Sequence, residues 1–258
     1  MSLRIGIAGI TGRMGRLLAD QIPASGAVLA GGISRAPEGT ALPGGAARYP
    51  DCAALAASAE VVIDFTHASL AAAHAATMER AGKGWVLGTS GLSAEDEAAV
   101  SRAARTIPVV YAANFAPGVN LVLALAERMG AALPADQYDA EILEMHHRQK
   151  VDAPSGTAIG IGRAVAAGRG VALDAVMESG RHGHTGPRKT GAIGFAALRG
   201  GQVVGEHSLI FAAAAEQIVL THRAFDRASF AAGAVRAAQW LVGRAPGLYG
   251  MADVLGMR

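Results

Sequence analysis

The sequence predicts an α/β protein, in which a doubly wound parallel sheet is accompanied by a smaller α+β domain with an open mixed sheet. Three observations support this fold class. Short apolar segments alternate with helical stretches over residues 3–112. A glycine-rich turn follows the first apolar segment, at residues 9–15. Three strand candidates then lie close together within residues 190–223, where the regular alternation has stopped.

The N-terminal segment has the order of elements expected at a dinucleotide site. Residues 3–8 form a short apolar run, which predicts a buried strand, and a helix is predicted from Arg16 onward. The glycines between them allow the backbone to approach a pyrophosphate at the helix N-terminus. The spacing GxxGxxG differs from the commoner GxGxxG, so this local context gives the motif its weight. The predicted loop residues of this Rossmann-like unit are Gly9, Ile10, Thr11, Gly12, Arg13 and Met14.

The second predicted strand, residues 27–33, ends in Ser34 and Arg35. A carboxylate commonly stands at this point to hold the ribose 2′-hydroxyl of NADH, and neither residue supplies one. A hydroxyl and a guanidinium suit a 2′-phosphate better. The sequence therefore predicts a preference for NADPH, with NADH still usable. The alternative is that Arg35 is an ordinary surface arginine.

Three later strands end in small or polar residues. The strands are predicted at 61–65, 85–88 and 107–112, and the helices between them at 68–80 and 94–105. Ligands of parallel sheets bind beyond the carboxyl ends of the strands, so we expect a nicotinamide cleft here rather than three ordinary turns. Phe65 would pack against a ring, and Asn114 would hydrogen-bond the carboxamide. The cleft residues are Phe65, Gly88, Thr89, Ser90, Ala112, Ala113, Asn114 and Phe115.

A dense cluster of cations follows the next predicted strand, residues 138–145. His146 and His147 are placed at the end of this strand, and Arg148 and Lys150 come directly after them. Packing does not require so many cations within a few residues. We therefore interpret the cluster as a site for a small anionic substrate with proton donors in place. The alternative is a solvated basic loop.

A helix start lies immediately beyond these cations. Ser155 follows a proline and is a favourable N-cap for a helix predicted at 158–167. The free N–H groups of Gly156, Thr157 and Ala158 would then face the loop and form an anion site. Because Gly156 has no side chain, a carboxylate can approach its backbone closely, and the Thr157 hydroxyl adds a donor.

The second domain is predicted from a change of pattern after a helix at 118–132. Strand candidates at 191–198 and 202–211 are joined by a glycine pair, which predicts a hairpin, and a third candidate follows at 217–222. We expect an open sheet whose uncovered apolar face is an oligomer interface. The last long helix, 230–242, is amphipathic enough to pack on the first domain.

Other histidines and the single cysteine have simpler interpretations. His182 and His184 lie in a glycine-rich loop without nearby cysteine or clustered carboxylates, so no metal site is predicted. His74 is interpreted as a helix-surface residue and His222 as a strand residue. Cys52 is assigned to packing.

The composition favours an enzyme in a reducing compartment. Of 258 residues, 51% are hydrophobic and 17% are charged, and the formal net charge of +2 comes without a Lys/Arg run of the kind that binds nucleic acid. One cysteine excludes an internal disulfide framework. The sequence contains neither a signal-peptide pattern nor an apolar run near the roughly 18 residues of a membrane span. We expect a cytoplasmic protein without nucleic-acid or membrane partners.

Together these motifs resemble the 4-hydroxy-tetrahydrodipicolinate reductase (dihydrodipicolinate reductase) family of lysine and diaminopimelate biosynthesis. The resemblance is carried above all by residues 144–158. Further matching segments are Gly9–Arg16, Asp64-Phe65-Thr66, Gly88–Gly91, Ala112–Phe115, Gly183–Gly186 and Gly205-Glu206-His207. The resemblance implies a Rossmann-type domain at 1–117 and 228–258, and a substrate-binding and oligomerisation domain at 118–227 whose sheet builds a homotetramer. It also implies the NAD(P)H-dependent reduction of a small dicarboxylate, 4-hydroxy-tetrahydrodipicolinate, to tetrahydrodipicolinate.

The resemblance further implies a role for each site residue. His146 matches the family's general acid/base and Lys150 its proton donor, although the residues alone do not rank the two. The substrate-binding positions are His147, Gly156 and Thr157. The glycine loop matches the pyrophosphate site, and residues 88–90 and 112–115 match the nicotinamide side. Ser34 departs from an acidic residue that is frequent in the family, which puts the use of NADH in doubt.

Two alternatives remain. Another NAD(P)-dependent dehydrogenase of similar two-domain build would not need the His-His-Arg-x-Lys cluster beside Pro-Ser-Gly-Thr. A non-catalytic NADPH sensor would keep the glycine loop but could discard the proton donors, which this chain retains.

Overall fold

The computed structural model describes residues 2–257, and the chain divides into two compact units. The first unit contains the chain up to Pro117 and the segment from Ala228 onward, and the second contains Gly118–Arg227. Among residues 2–257, no helix has the length and apolar character needed to cross a membrane.

The strands are β1 (Arg4–Ala8), β2 (Val28–Ile33), β3 (Val61–Asp64), β4 (Gly84–Leu87), β5 (Pro108–Tyr111), β6 (Asp139–His146), β7 (Met177–Ser179), β8 (Ile193–Arg199), β9 (Gly205–Ala212), β10 (Gln217–Ala224) and β11 (Gly247–Tyr249). The α-helices are α1 (Arg13–Ala24), α2 (Cys52–Ser58), α3 (Ala71–Ala81), α4 (Ala94–Ala103), α5 (Pro117–Ala132), α6 (Gly156–Gly168), α7 (Leu173–Val176), α8 (Ala228–Leu241) and α9 (Met251–Val254).

The first unit contains the parallel, doubly wound sheet that the sequence predicts. Its six strands lie in the order β11-β5-β4-β3-β1-β2, and every neighbouring pair is parallel. Helices α1 and α8 pack on one face of the sheet, and α2, α3 and α4 pack on the other. Cys52 is buried in the second of these cores, as predicted. The strand β11 was not predicted, because three residues are too few to establish a periodic pattern.

The first strand turns sharply into α1, and two glycines permit this turn. Gly9 has a φ of +85°, a conformation that favours glycine. A Cβ on Gly15 would lie 2.3 Å from the carbonyl oxygen of Gly9, so the helix and the loop can approach only without a side chain there. Gly12 is the N-cap, and α1 begins at Arg13, which is earlier than the predicted Arg16. The predicted order of strand, glycine turn and helix is confirmed.

The second unit contains the predicted open mixed sheet, with five strands in the order β10-β9-β6-β8-β7. The central strand β6 pairs in parallel with β8 and antiparallel with β9. Helices α5 and α6 contribute to a core on one face of this sheet, which includes Ile142, Val165 and Phe211. Side chains on the opposite face alternate with these along each strand, because successive strand residues point to opposite sides.

The predicted hairpin between residues 191–198 and 202–211 is wrong. These segments are β8 and β9, and β6 lies between them. The glycine pair that joins them crosses the end of β6, where the Gly200 N–H donates to the His146 carbonyl and the Arg148 N–H donates to the Gly201 carbonyl. Both strands thus gain the central strand as a partner, and the antiparallel hairpin is formed by β9 and β10 instead.

Candidate active site

The glycine loop and the end of β2 lie side by side in the first unit. The N–H groups of Gly9 and Ile10 both donate to the Ile33 carbonyl at 3.2 Å. The hydroxyl oxygens of Thr11 and Ser34 lie 2.6 Å apart. Ile10 is fully buried and its N–H is bonded to Ile33, so this residue supports the loop from within the protein. The structure therefore brings the predicted loop and Ser34 together.

The start of α1 is suited to an anion. The N-cap Gly12 has no side chain that could cap the helix, and the first turn of the helix contains no acidic residue. Gly12 and Arg13 are exposed, and Met14 is half-buried. The first N–H groups of a helix lack intrahelical partners and form the positive end of its dipole. Together with Arg13, this helix start fits the pyrophosphate of a dinucleotide.

The loop after β2 is held by hydrogen bonds, and Arg35 lies at its surface. The Ala36 N–H donates to Oγ of Ser34 at 3.0 Å. The Arg48 guanidinium donates to the carbonyls of Ala36 and Thr40, each at 3.0 Å. Arg35 itself is exposed and follows directly on the Ser34 hydroxyl. The Ser34 hydroxyl therefore stands beside the glycine loop, and the exposed Arg35 is the next residue of the chain.

The ends of β3, β4 and β5 form a cluster of small and aromatic residues. The Phe65 ring lies over Gly88, where a Cβ would be 2.2 Å from the nearest ring carbon. The rings of Phe65 and Phe115 meet edge to face, with their centroids 5.7 Å apart. The Thr89 hydroxyl donates to the Thr66 carbonyl at 3.3 Å. The structure thus brings the three predicted strand ends together.

Exposure divides the residues of this cluster into two groups. Phe115 and Thr89 are buried, so they support the cluster from behind. The members that reach the surface fully or in part are Phe65, Gly88, Ser90, Ala112, Ala113 and Asn114. Oδ1 of Asn114 accepts the Ala116 N–H at 2.8 Å, which fixes the orientation of the amide.

The interpretation of His74 as a surface residue is wrong. Its side chain is buried, and its Nδ1 lies 2.7 Å from Oδ2 of the fully buried Asp64. Oδ1 of Asp64 accepts the Thr66 N–H at 3.0 Å and the Thr66 hydroxyl at 2.7 Å. A buried carboxylate requires such partners, and α3 supplies one of them by turning His74 toward the end of β3. Asp64 was not predicted to have a role; an acid at the end of an apolar strand is the signal that could have found it.

In the second unit, a buried carboxylate lies at the centre of the predicted proton-donor site. Glu144 and His146 are two residues apart on β6, so their side chains leave the same face of the sheet. Oε2 of Glu144 lies 2.6 Å from Nδ1 of His146, and Glu144 is 1% exposed. Arg199, at the end of β8, donates to both carboxylate oxygens at 2.8 Å. The Ser155 N–H donates to Oε1 at 3.1 Å.

Burial and hydrogen bonding set the charges of this pair. Burial raises the pKa of Glu144, but hydrogen bonds from Arg199 and His146 outweigh this effect, so the pKa lies below its ordinary value. Burial lowers the pKa of His146 from 6.5, and Glu144 offsets the change only in part. At neutral pH the imidazole is therefore neutral. Because the carboxylate can only accept, His146 carries its proton on Nδ1, and Nε2 presents a lone pair.

The loop after β6 carries the other predicted cations. His147 lies just beyond the end of the strand, and the Lys150 N–H donates to its carbonyl at 3.1 Å. Nζ of Lys150 lies 2.9 Å from Oδ1 of Asp152. The hydrogen bond from Lys150 lowers the pKa of Asp152, so this residue is a carboxylate that orients the ammonium group.

The start of α6 differs from the prediction at one donor. Ser155 is the N-cap, as predicted, and its Oγ accepts the Ala158 N–H at 3.1 Å. The expectation of a free Ala158 N–H is therefore wrong, because the cap satisfies it. Gly156 is exposed, and no atom lies within 4 Å of the position that its Cβ would occupy. Thr157 is half-buried beside it. An anion can thus reach the backbone of Gly156.

Arg199 and His207 belong to this site, and sequence reasoning gave them no role in it. His207 is buried on β9, and its Nε2 lies 2.9 Å from Oγ of Ser155. Its ring meets that of His146 edge to face, with the centroids 5.0 Å apart. Arg199 stands opposite His146 in the β6–β8 register, and His207 stands opposite Glu144 in the β6–β9 register. Their positions depend on strand pairing, for which a single sequence carries no direct signal.

Comparison with known proteins gives matches along nearly the whole chain. The family models described as Dihydrodipicolinate reductase, N-terminus and C-terminus match residues 3–115 and 118–255. A 4-hydroxy-tetrahydrodipicolinate reductase of Granulibacter bethesdensis is 64% identical over 257 residues, which cover 100% of this chain and 98% of that protein. The enzyme of the same name from Acidiphilium cryptum is 64% identical over 255 residues, covering 99% and 98%.

A solved structure shares the fold. The dipicolinate-bound dihydrodipicolinate reductase from Paenisporosarcina sp. TG-14 matches with a TM-score of 0.80 at 23% identity. The match covers 99% of this chain and 100% of that one.

Proposed function

Because the chain belongs to the dihydrodipicolinate reductase family, we propose that it reduces 4-hydroxy-tetrahydrodipicolinate to tetrahydrodipicolinate with NAD(P)H, in lysine and diaminopimelate biosynthesis. The chain is an oxidoreductase. The observation that carries the proposal is the buried pair of Glu144 and His146. It lies in the same unit as the ammonium group of Lys150 and the accessible helix start at Gly156.

The reaction removes water from the substrate and adds one hydride and one proton. A reduced nicotinamide supplies the hydride, to a ring carbon that is conjugated with the imine. The negative charge that develops on the ring must then be met by a proton. The residues of the second unit therefore have two tasks, which are to bind a dicarboxylate and to deliver a proton to it.

The first unit fits a dinucleotide, and we assign NADPH as the preferred one. The glycine loop and the open start of α1 suit the pyrophosphate. Ser34 and Arg35 offer a hydroxyl and a guanidinium where a carboxylate would favour NADH. The 2′-phosphate of NADPH would accept hydrogen bonds from both groups.

The start of α6 suits one carboxylate of the substrate. Gly156 leaves its backbone accessible, and Thr157 adds a hydroxyl. We assign the second carboxylate to the side chains of His147 and Lys150 in the preceding loop. Dipicolinate, which is bound in the Paenisporosarcina enzyme, is an aromatic dicarboxylate and a convenient probe of such a site.

We propose different roles for His146 and Lys150 in proton transfer. At neutral pH the Nδ1–H of His146 is committed to Glu144, and Nε2 is a lone pair that can accept a proton. Lys150 is an ammonium with three donors, only one of which is needed for Asp152. We therefore assign the delivered proton to Lys150. His146 acts as the general acid/base that exchanges a proton through Nε2.

The quaternary structure and the location follow from the same proposal. A second copy of this chain would cover the open face of the second sheet, and pairing of these faces would build the homotetramer. The low charge and single cysteine suit a cytoplasmic biosynthetic enzyme.

The test is an assay with the purified chain and freshly generated product of dihydrodipicolinate synthase. We expect substrate-dependent loss of nicotinamide absorbance, with the higher kcat/KM for NADPH. His146→Gln should lower kcat by about 10²–10⁴ and leave NADPH binding unchanged, because positioned proton transfer contributes a factor of that order. His184→Gln, an exposed histidine of the same unit, is the matched control. Absence of turnover with either nicotinamide would refute the proposal.

A further inference from the structure

A second imidazole lies behind the start of α6, and none of the steps above uses it. This residue, His207, is 4% exposed, and its Nε2 lies 2.9 Å from Oγ of Ser155. We propose that His207 is a positioning residue whose Nε2–H donates to the Ser155 oxygen, so that the Ser155 hydroxyl hydrogen is left for a substrate carboxylate. This inference rests on the proposed function, because it requires a dicarboxylate at that helix start.

The hydrogen-bonding capacity of the hydroxyl decides what it can offer. A serine hydroxyl has one hydrogen and two lone pairs. One lone pair of the Ser155 Oγ accepts the hydrogen bond from the Ala158 N–H at 3.1 Å. If His207 donates, the second lone pair is filled and the hydrogen remains for a third partner. If His207 accepts, the hydrogen is consumed inside the protein and none is left for a ligand.

The surroundings of His207 select the donating form. Its Nδ1 is buried and has no partner among the described residues. A proton on Nδ1 would therefore be a buried N–H without an acceptor, which native proteins rarely contain. A proton on Nε2 has the Ser155 oxygen as its acceptor. The hydroxyl hydrogen of Ser155 then lies beside the exposed Gly156, where a bound anion can accept it.

The charge state of His207 agrees with this geometry. Burial, followed by the neighbouring His146, lowers its pKa to about 4. The ring is therefore neutral at working pH and carries a single proton. Because Ser155 is only 2% exposed, its hydrogen serves only a ligand that is seated directly on the helix start.

Ser155 also connects the substrate helix with the proton-transfer residues. Its backbone N–H donates to Glu144, which holds His146, and its hydroxyl contacts His207, which packs against the same His146. A change at His207 should therefore act on carboxylate binding through Ser155, while the Glu144–His146 hydrogen bond remains.

The test measures binding of pyridine-2,6-dicarboxylate (dipicolinate) to the full chain in the presence of NADPH. We expect His207→Leu to weaken binding by about threefold to tenfold, less than the full value of a hydrogen bond to a charged group, because the Ser155 hydroxyl keeps its hydrogen but loses the donor that orients it. His207→Gln, whose amide nitrogen can take the place of Nε2, should restore most of the affinity.

His222→Leu is the matched control, because His222 stands opposite His207 on β10 and makes no hydrogen bond to Ser155 among the described residues. The affinity for NADPH should be unchanged in all three variants.

Two further measurements separate this role from a purely structural one. In a Ser155→Ala background, His207→Leu should cost nothing more, because both changes remove the same interaction. In the unmodified protein, ¹⁵N NMR should report the Nε2–H tautomer of His207. An Nδ1–H tautomer, equal affinities of wild type and His207→Leu, or no recovery with Gln would overturn the inference. A chain that binds dipicolinate with these differences but reduces no substrate would instead refute the proposed function.

Discussion

Glu144 connects the residues of the proposed proton-transfer site, because its carboxylate forms hydrogen bonds with His146, Arg199 and the backbone N–H of Ser155. Glu144→Gln keeps the shape of the side chain, but the neutral amide no longer compensates the arginine or holds the imidazole as firmly. A hydrogen bond to a charged group contributes about 1.5–3 kcal/mol, so we expect kcat to fall about tenfold to a hundredfold. Steady-state kinetics should show this loss with the KM for NADPH unchanged.

Glu206→Gln is the matched control for this change. Glu206 lies on β9 and pairs at 2.9 Å with Arg223, which is largely exposed. Exposed ion pairs contribute about 0–1 kcal/mol, so turnover should stay near that of wild type. Equal losses in the two variants would mean that Glu144 has no particular part in turnover.

The pH dependence of turnover distinguishes the two proton donors. The pKa of His146 lies below 6.5, so a mechanism that starts from its imidazolium loses rate as the pH rises through this range. We expect turnover to persist above pH 6.5 instead, because we assign the delivered proton to Lys150. Lys150→Met should abolish that plateau, whereas Lys189→Met, at an exposed lysine of the same unit, should preserve it. A wild-type rate that has already fallen by pH 6.5 would assign the proton to His146.

We propose that the cofactor preference depends on the Ser34 hydroxyl and the neighbouring Arg35. Ser34→Glu places a carboxylate where the 2′-phosphate of NADPH would lie, so repulsion should lower the kcat/KM for NADPH while NADH gains a ribose partner. We expect the NADPH/NADH ratio of kcat/KM to fall by at least tenfold. Arg13→Gln is the control, because loss of the proposed pyrophosphate contact should weaken the binding of both cofactors alike. A ratio that does not change in Ser34→Glu would remove this position from cofactor selection.

At the scale of elements, the space beside His146 depends on one residue of β9. A Cβ on Gly205 would lie 3.0 Å from Nε2 of His146, the nitrogen that carries the lone pair. Gly205 does not have a positive φ, so alanine fits its backbone, and of the contacts that its Cβ adds to the His146 and His207 rings only the one to Nε2 is tight. We expect Gly205→Ala to lower kcat at least tenfold with a small change in thermal midpoint. Gly160→Ala, whose Cβ would make an ordinary 3.4 Å contact in α6, should leave kcat unchanged. Similar kinetics for both variants would contradict this role.

Local patterns predicted most elements, and tertiary pairing explains the failures. The glycine turn and the Ser155 cap were predictable because their residues lie next to one another in sequence. The partnership of Glu144 and His146 could have been predicted too, since a spacing of two puts both on one face of a strand. Arg199 could not, because it meets Glu144 only when β6 separates β8 from β9, and the glycine pair between those strands favoured a hairpin.

At the scale of the whole molecule, we propose that the open face of the second sheet is the interface between copies of the chain. Leu143, Leu198 and Val219 lie on this face with exposures of 36%, 48% and 51%. We expect the wild-type chain to be a tetramer by light scattering, because a second copy would bury these side chains. Val219→Arg would place an unpaired charge in that contact and should dissociate the tetramer. Val242→Arg, at a valine of similar exposure, 55%, in the first unit, should not. A monomeric wild type, or a Val219→Arg variant that stays tetrameric, would mean that this face is not the interface.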